Sequence, residues 1–183
     1  MRLFPMLAAV AIVAAPATAA GLAVGAKAPT FATRGAIAGK VVNIDLAQQL
    51  KKGPVVLYFF PAAFTGGCNA EAHAFAEAIP AFQKAGATVI GMSADDVPTL
   101  QRFSAEKCAG KFAVASAGPA VIGNYDVALN ARGKSLTKRT SYVIGRDGRV
   151  AFVHDDMNPA QHVALTLAAV QKLHHSDPSA TLR

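Results

Sequence analysis

Three residue types that could act together on one small molecule fall within eight positions: Pro61, Thr65 and Cys68, in the stretch PAAFTGGC that follows the apolar run VVLYFF. A free thiol has an ordinary pKa of roughly 8.5 and must ionise before its sulfur attacks anything. The sequence offers two sources of positive potential for Cys68. It opens a segment with helical periodicity, and unpaired backbone N–H groups at a helix start favour an anion. A guanidinium such as Arg139 can also approach from the basic stretch ARGKSLTKRT, staying charged and offering several donors in one plane. The Thr65 hydroxyl can donate to, or accept from, a thiolate or a substrate oxygen. Gly66 and Gly67 read as a tight turn that brings N–H groups close to a ligand, and Pro61 ends the preceding strand and stiffens the loop. Together these residues predict a compact pocket for a small, oxygen-rich substrate.

The elements around them read as alternating strands and helices. GPVVLYFF (53–60) is a continuous apolar run suited to a strand covered on both faces. In the segment after it, Phe75, Ile79 and Phe82 recur on one helical face, with Glu71 in the first turn, where a negative charge suits the helix dipole. Pro80 is expected to kink or end this helix, and Gly86 to stop it. TVIGMS is the next strand. Asp95 or Asp96 then caps a helix with Pro98 in its first turn, Leu100 and Phe103 on its buried face, and Gly110 as its stop. FAVAS reads as a short strand and PAVIGNYDV as a short helix, while TSYVIGRDGRVAFVH reads as a hairpin about Asp147-Gly148. Asn158 and Pro159 start a last helix with Val163, Leu167 and Val170 on one side. VVNIDLAQQL is expected to be a strand running into a turn, and ARGKSLTKRT a solvated loop. The order is that of an α/β fold.

Composition narrows the class. Of 183 residues, 52% are hydrophobic and 16% charged. Part of the apolar excess lies in residues 1–20, where Arg2, the apolar stretch from Leu3 to Ala15 and the small residues Ala17-Thr18-Ala19 match the three regions of a secretory signal peptide. That stretch is short for a membrane span, so the expected product carries no stable membrane anchor after cleavage and is exported, most simply to a bacterial periplasm. Residues 21–175 are expected to form one domain and 176–183 a C-terminal tail, with the His174-His175 pair at their boundary, where the segment HHSDPSATLR reads as a tail. The net charge of +7 comes with few aromatics near the basic stretch, which argues against nucleic acid as a partner. Cys68 and Cys108 are the two cysteines. In an oxidising compartment they suggest a structural disulfide first. They form no C-x-x-C, and with five scattered histidines they show no zinc spacing. His73 reads as a solvent-facing helix residue.

FFPAAFTGGC resembles the P-x-x-x-T-x-x-C motif of the peroxiredoxins. TKRTSYVIGRDGRV resembles the family's arginine-bearing strand, and GAKAPTF (25–31) its N-terminal segment. The likeness runs over essentially the whole chain after the signal and is nearest to the branch of peroxiredoxin Q and the bacterioferritin comigratory proteins. It implies a thioredoxin-like fold, a central mixed sheet covered by helices on both faces. By the same resemblance Cys68 is a peroxidatic nucleophile, Thr65 and Arg139 hold the peroxide and the thiolate, and Pro61 shields the site. Where many of this branch carry a resolving cysteine, five residues on, this chain has His73. Other members use the following helix, which makes Cys108, near the end of that helix, a possible resolving cysteine. The implied activity is a thiol-dependent peroxidase acting on hydrogen peroxide and organic hydroperoxides. It would be recycled by a thioredoxin-like or small-thiol reductant, need no metal, haem or flavin, and work as a monomer or weak dimer. The alternative on the same fold is a thiol–disulfide exchange protein, against which the missing C-x-x-C argues.

Overall fold

The computed structural model describes residues 22–131 and 133–176. The segment 1–20 read as a signal, and residues 177–183 of the expected tail, lie outside the described residues. Strands β1 (Ala32–Ile37) and β2 (Lys40–Asp45) form an antiparallel hairpin. The sequence reading has no counterpart for β1, whose alternation is weak. The expected turn after β2 is instead helix α1 (Leu46–Lys52). Asp45 caps it by accepting from the Gln48 N–H at 3.1 Å, and Leu46 and Leu50, one turn apart, go into the core.

Strand β3 (Val55–Phe59) is buried along its whole length, as the apolar run predicts. Helix α2 (Gly66–Lys84) follows, then β4 (Thr88–Ser93), α3 (Val97–Glu106), β5 (Ala113–Ser116) and α4 (Pro119–Asn124). Pro80 does not end α2. The helix continues through it, because Ile79 and Phe82 on either side are both locked into the core and hold the last turn against the lost hydrogen bond. Asp96, not Asp95, caps α3, accepting from the Thr99 N–H at 2.9 Å. The expected basic loop contains instead strand β7 (Lys134–Thr137), which pairs with β6 (Ala128–Ala131) just before it in a second small hairpin. The predicted hairpin is β8 (Thr140–Ile144) with β9 (Val150–Asp155), closed by a loop in which Gly148 takes the left-handed conformation. A single 3₁₀ turn, Pro159–Gln161, capped by Asn158, leads into α5 (His162–Ser176). His174 and His175 therefore belong to a helix and not to a tail.

The sheet order is β2-β1-β5-β4-β3-β8-β9, with β3, β4 and β5 parallel and the outer strands antiparallel. Residues of β3 alternate between two apolar clusters. Val56 and Tyr58 join α2, α3 and Val170 of α5 on one face, and Val55, Leu57 and Phe59 join α1, Ile122, Tyr125 and Tyr142 on the other. Helices thus cover both faces of a mixed sheet, which is the expected thioredoxin-like arrangement. Tyr58 stacks on Phe75 of α2 at 4.2 Å and 19° and fixes that helix across the sheet.

One buried bond ties the two halves of the chain at the carboxyl end of β3. The Thr137 hydroxyl donates to the Phe60 carbonyl at 2.6 Å. Thr137→Val keeps the shape and leaves that carbonyl without its partner, so we expect a loss of about 1–3 kcal/mol in urea-monitored unfolding. An unchanged midpoint would contradict the link.

Candidate active site

The loop after β3 is pinned at each end. The Phe60 N–H donates to the Met92 carbonyl at 2.9 Å. The Ala63 N–H donates to Asp95 Oδ2 at 2.7 Å, and that carboxylate is itself held by the Ser93 hydroxyl at 2.8 Å. The sharp reversal falls on Phe64, whose φ is +63°, and not on the two glycines. A bulky residue adopts this conformation only under compulsion. Here the ring packs edge-on against Phe103, with centroids 5.4 Å apart, and beneath the Arg102 guanidinium at 5.5 Å. Thr65 is the N-cap residue of α2, and Gly66, Gly67 and Cys68 are its first three positions. The small residue matters at Gly67 for another reason: a Cβ there would meet Arg139 Nη2 at 3.2 Å.

Cys68 is 1% exposed. Arg139, 4% exposed, lies in the connection between β7 and β8, one residue before the expected strand. Its Nη2 donates to Cys68 Sγ at 3.4 Å, its Nη1 pairs with Glu71 Oε2, and its Nε donates to the Met157 carbonyl at 2.9 Å. The guanidinium is therefore fixed on three sides, by Glu71, by the Met157 carbonyl and by the sulfur. A helix start and a buried cation both favour negative charge at this sulfur.

Of the residues read from sequence, the fold brings Cys68 and Arg139 into contact. Thr65 sits at the helix start, but its hydroxyl donates to the Ala62 carbonyl at 2.9 Å and not to the sulfur. With its proton so placed, that oxygen faces a ligand as an acceptor. Pro61 is half-buried where the loop leaves the strand. Cys108 lies two residues past the end of α3, in a turn and not on the helix, because Ala109 and Gly110 both take positive φ there. Both thiols are free and buried in the same apolar cluster, so no structural disulfide joins them. Burial pushes the Cys108 thiol up to about 12. His73 faces solvent, 3.3 Å from Glu77.

Glu71 is more than a dipole-complementing charge. It is 1% exposed, and burial raises its carboxyl to about 7 although Arg139 pulls the other way. The sequence marked Glu71 by its place three residues after Cys68 in the family match and by an expected first-turn position; because α2 already starts at Gly66, it falls one turn further in. Nothing in the sequence pointed to Met157 or to the residues behind it.

Residues 24–153 match the AhpC/TSA family. The chloroplastic peroxiredoxin Q of Oryza sativa subsp. japonica is 33% identical over 150 residues, covering 81% of this chain and 67% of the relative. That of Suaeda salsa is 35% identical over 132 residues, covering 72% and 61%. The chain thus spans about two thirds of the length of these plant relatives. Among solved structures, the peroxidoxin BcpB of Mycobacterium tuberculosis superposes with a TM-score of 0.73 at 29% identity, over 82% of this chain and 97% of that one. The bacterioferritin comigratory protein of Xanthomonas campestris gives 0.66 at 27%, over 77% and 91%.

The buried carboxyl makes a signed prediction. An unfolded Glu71 releases its proton near 4.5, while the folded one keeps it to about 7, so this group lowers wild-type stability as pH rises between those values. Glu71→Gln cannot titrate. Its stability relative to wild type should therefore increase between about pH 5 and about pH 8 in thermal melts, and a constant difference would show that Glu71 does not titrate in this window.

Proposed function

The chain belongs to the AhpC/TSA family, and on that premise we propose that Cys68 is the peroxidatic thiol of this thiol-dependent peroxidase. Its curated relatives include peroxiredoxin Q proteins, and its structural neighbours include a bacterioferritin comigratory protein and the peroxidoxin BcpB. The observation that supports the residue assignment is the Arg139 Nη2 to Cys68 Sγ contact of 3.4 Å at the start of α2. In the reaction the Cys68 thiolate attacks one peroxide oxygen and the O–O bond breaks. Sulfur supplies the electron pair, and the second oxygen leaves as hydroxide or alkoxide and takes up a proton. Arg139 stabilises the negative charge as it moves from sulfur to the departing oxygen, in a site where water is largely excluded. Thr65, its own proton held by Ala62, accepts from the peroxide O–H and orients it. Pro61 walls the loop.

The sulfenic acid left on Cys68 condenses with a second thiol and releases water. Cys108 is our candidate for that thiol. It shares a cluster with Cys68, but as a buried thiol pushed up to about 12 it is a poor nucleophile where it stands. The condensation therefore requires the turn at 107–110 or the first turn of α2 to open. A thioredoxin-like or small-thiol reductant then restores both thiols. Residues 1–20 support export to an oxidising compartment. No helix among the described residues is long and apolar enough to cross a membrane.

Purified protein should consume peroxide with a thiol reductant, and Cys68→Ser should abolish turnover; retained turnover would overturn the assignment. Arg139→Met should slow the oxidation of Cys68 roughly 100-fold, the usual cost of removing one preorganised donor. After one equivalent of peroxide, mass spectrometry should find a Cys68–Cys108 disulfide in the wild type. A stable sulfenic or sulfinic Cys68 beside a free Cys108 would make this a one-cysteine enzyme.

A further inference from the structure

Arg139 uses only one oxygen of Glu71. The other, Oε1, is buried and has no hydrogen-bond partner, an arrangement that normally costs stability. Nδ1 of His162 lies 3.8 Å from Oε1, on a residue wholly buried at the start of α5. The two nitrogens of that ring have different partners. Nε2 lies 2.8 Å from the Asp156 carbonyl, which can only accept, so Nε2 carries a proton. Nδ1 lies 2.8 Å from the Ser141 hydroxyl, which can donate to it. Both contacts are satisfied by the neutral ring in one tautomer. The same short segment also grips the arginine. The Asp156 N–H donates to the Arg139 carbonyl at 3.2 Å, and the Met157 carbonyl accepts from Arg139 Nε at 2.9 Å. A single strip of backbone, 156–157, thus has Arg139 on one side and His162 on the other.

We propose that His162 is a positioning residue for the peroxide site: uncharged, it braces the 156–157 backbone that holds Arg139 on Cys68, and on gaining a proton at Nδ1 it can no longer accept from the Ser141 hydroxyl and sets a second buried positive charge beside the guanidinium. The inference rests on the peroxidase reading of Cys68. It follows that a charged His162 and a well-placed Arg139 exclude one another. The groups facing the ring are Glu71 from α2, Ser141 from β8, His154 from β9 with its ring centroid 4.5 Å away, Arg139 from the β7–β8 connection, and Asp156 from the segment before α5. Burial holds the imidazole below its ordinary value. His154 and Arg139 add to this, while Asp156 opposes it. The ring is accordingly neutral at pH 7, and the switch operates on the acid side.

The test compares wild type, His162→Ala and His162→Gln. Glutamine can still donate to the Asp156 carbonyl but cannot acquire charge. Oxidation of Cys68 by hydrogen peroxide and its alkylation by iodoacetamide are each followed from about pH 5 to about pH 8. His162→Ala should lose roughly tenfold in both rates at neutral pH, and His162→Gln should restore most of that loss while retaining more of its neutral-pH rate at the acid end than wild type does. An acid limb in His162→Gln that superimposes on the wild-type limb, or an alanine variant with full rates, overturns the proposal. A wild-type measurement decides the matter even if the variants fail to fold: the Arg139 Nε–H resonance should shift with the midpoint of the His162 ring titration, and an Arg139 signal that ignores that titration is equally fatal. If wild-type Cys68 is inert to peroxide at every pH, the peroxidase reading fails, whereas the alkylation profile and the NMR coupling still judge His162.

Discussion

A guanidinium taken almost wholly out of water must be neutralised and hydrogen-bonded, or it will not stay buried. Most of the geometry around Cys68 answers that requirement at Arg139. Glu71 supplies the charge, the Met157 carbonyl a neutral acceptor, and the sulfur a third partner. Removing the thiolate leaves the arginine paired; removing Glu71 leaves sulfur as its one anionic neighbour. The carboxyl of Glu71 and the sulfur of Cys68 share one cation, and burial raises that carboxyl to about 7.

The fold meets the requirement by bringing four separate pieces of chain to the carboxyl ends of the parallel strands, the usual place for a site in an open α/β sheet. The β3–α2 loop delivers sulfur at a helix start. The β7–β8 connection delivers the cation, and the bond from Thr137 to Phe60 fixes its distance from that loop. The segment 156–159 and the first turn of α5 close over the back. Gly67 leaves room for the approach, since any larger residue would press on Nη2. Burial of the pair thus depends on long-range contacts more than on any one element.

Local chemistry made parts of this legible in the sequence. The continuous apolar run gave away β3, the i, i+4, i+7 pattern gave α2, and Asp96, Pro98 and Asn158 marked helix starts where they occur. Cys68, Thr65 and Arg139 stood out by type and spacing. What could not be read was set by tertiary contact. Pro80 was overridden because Ile79 and Phe82 anchor both sides of it. The reversal at Phe64 depends on Phe103 and Arg102, far along the chain, and two neighbouring glycines misdirected attention to themselves. Glu71 was visible by its spacing from Cys68, but its partner is 68 residues away and its pairing could not be read. His162 lies in a helix start that carries no chemical motif, and its significance appears only when β8 and the 156–157 backbone are folded against it.

The left-handed backbone at Phe64 has a mechanical consequence. A side chain of this size held at φ +63° carries on the order of 1–2 kcal/mol of unrelieved torsion. The ring contacts with Phe103 and Arg102 offset that torsion, together with the bonds that pin the loop at Phe60 and Ala63. A substitution such as alanine would keep the torsional cost and lose the contacts that offset it, so the size of this side chain is itself part of what holds the sulfur-bearing loop in shape.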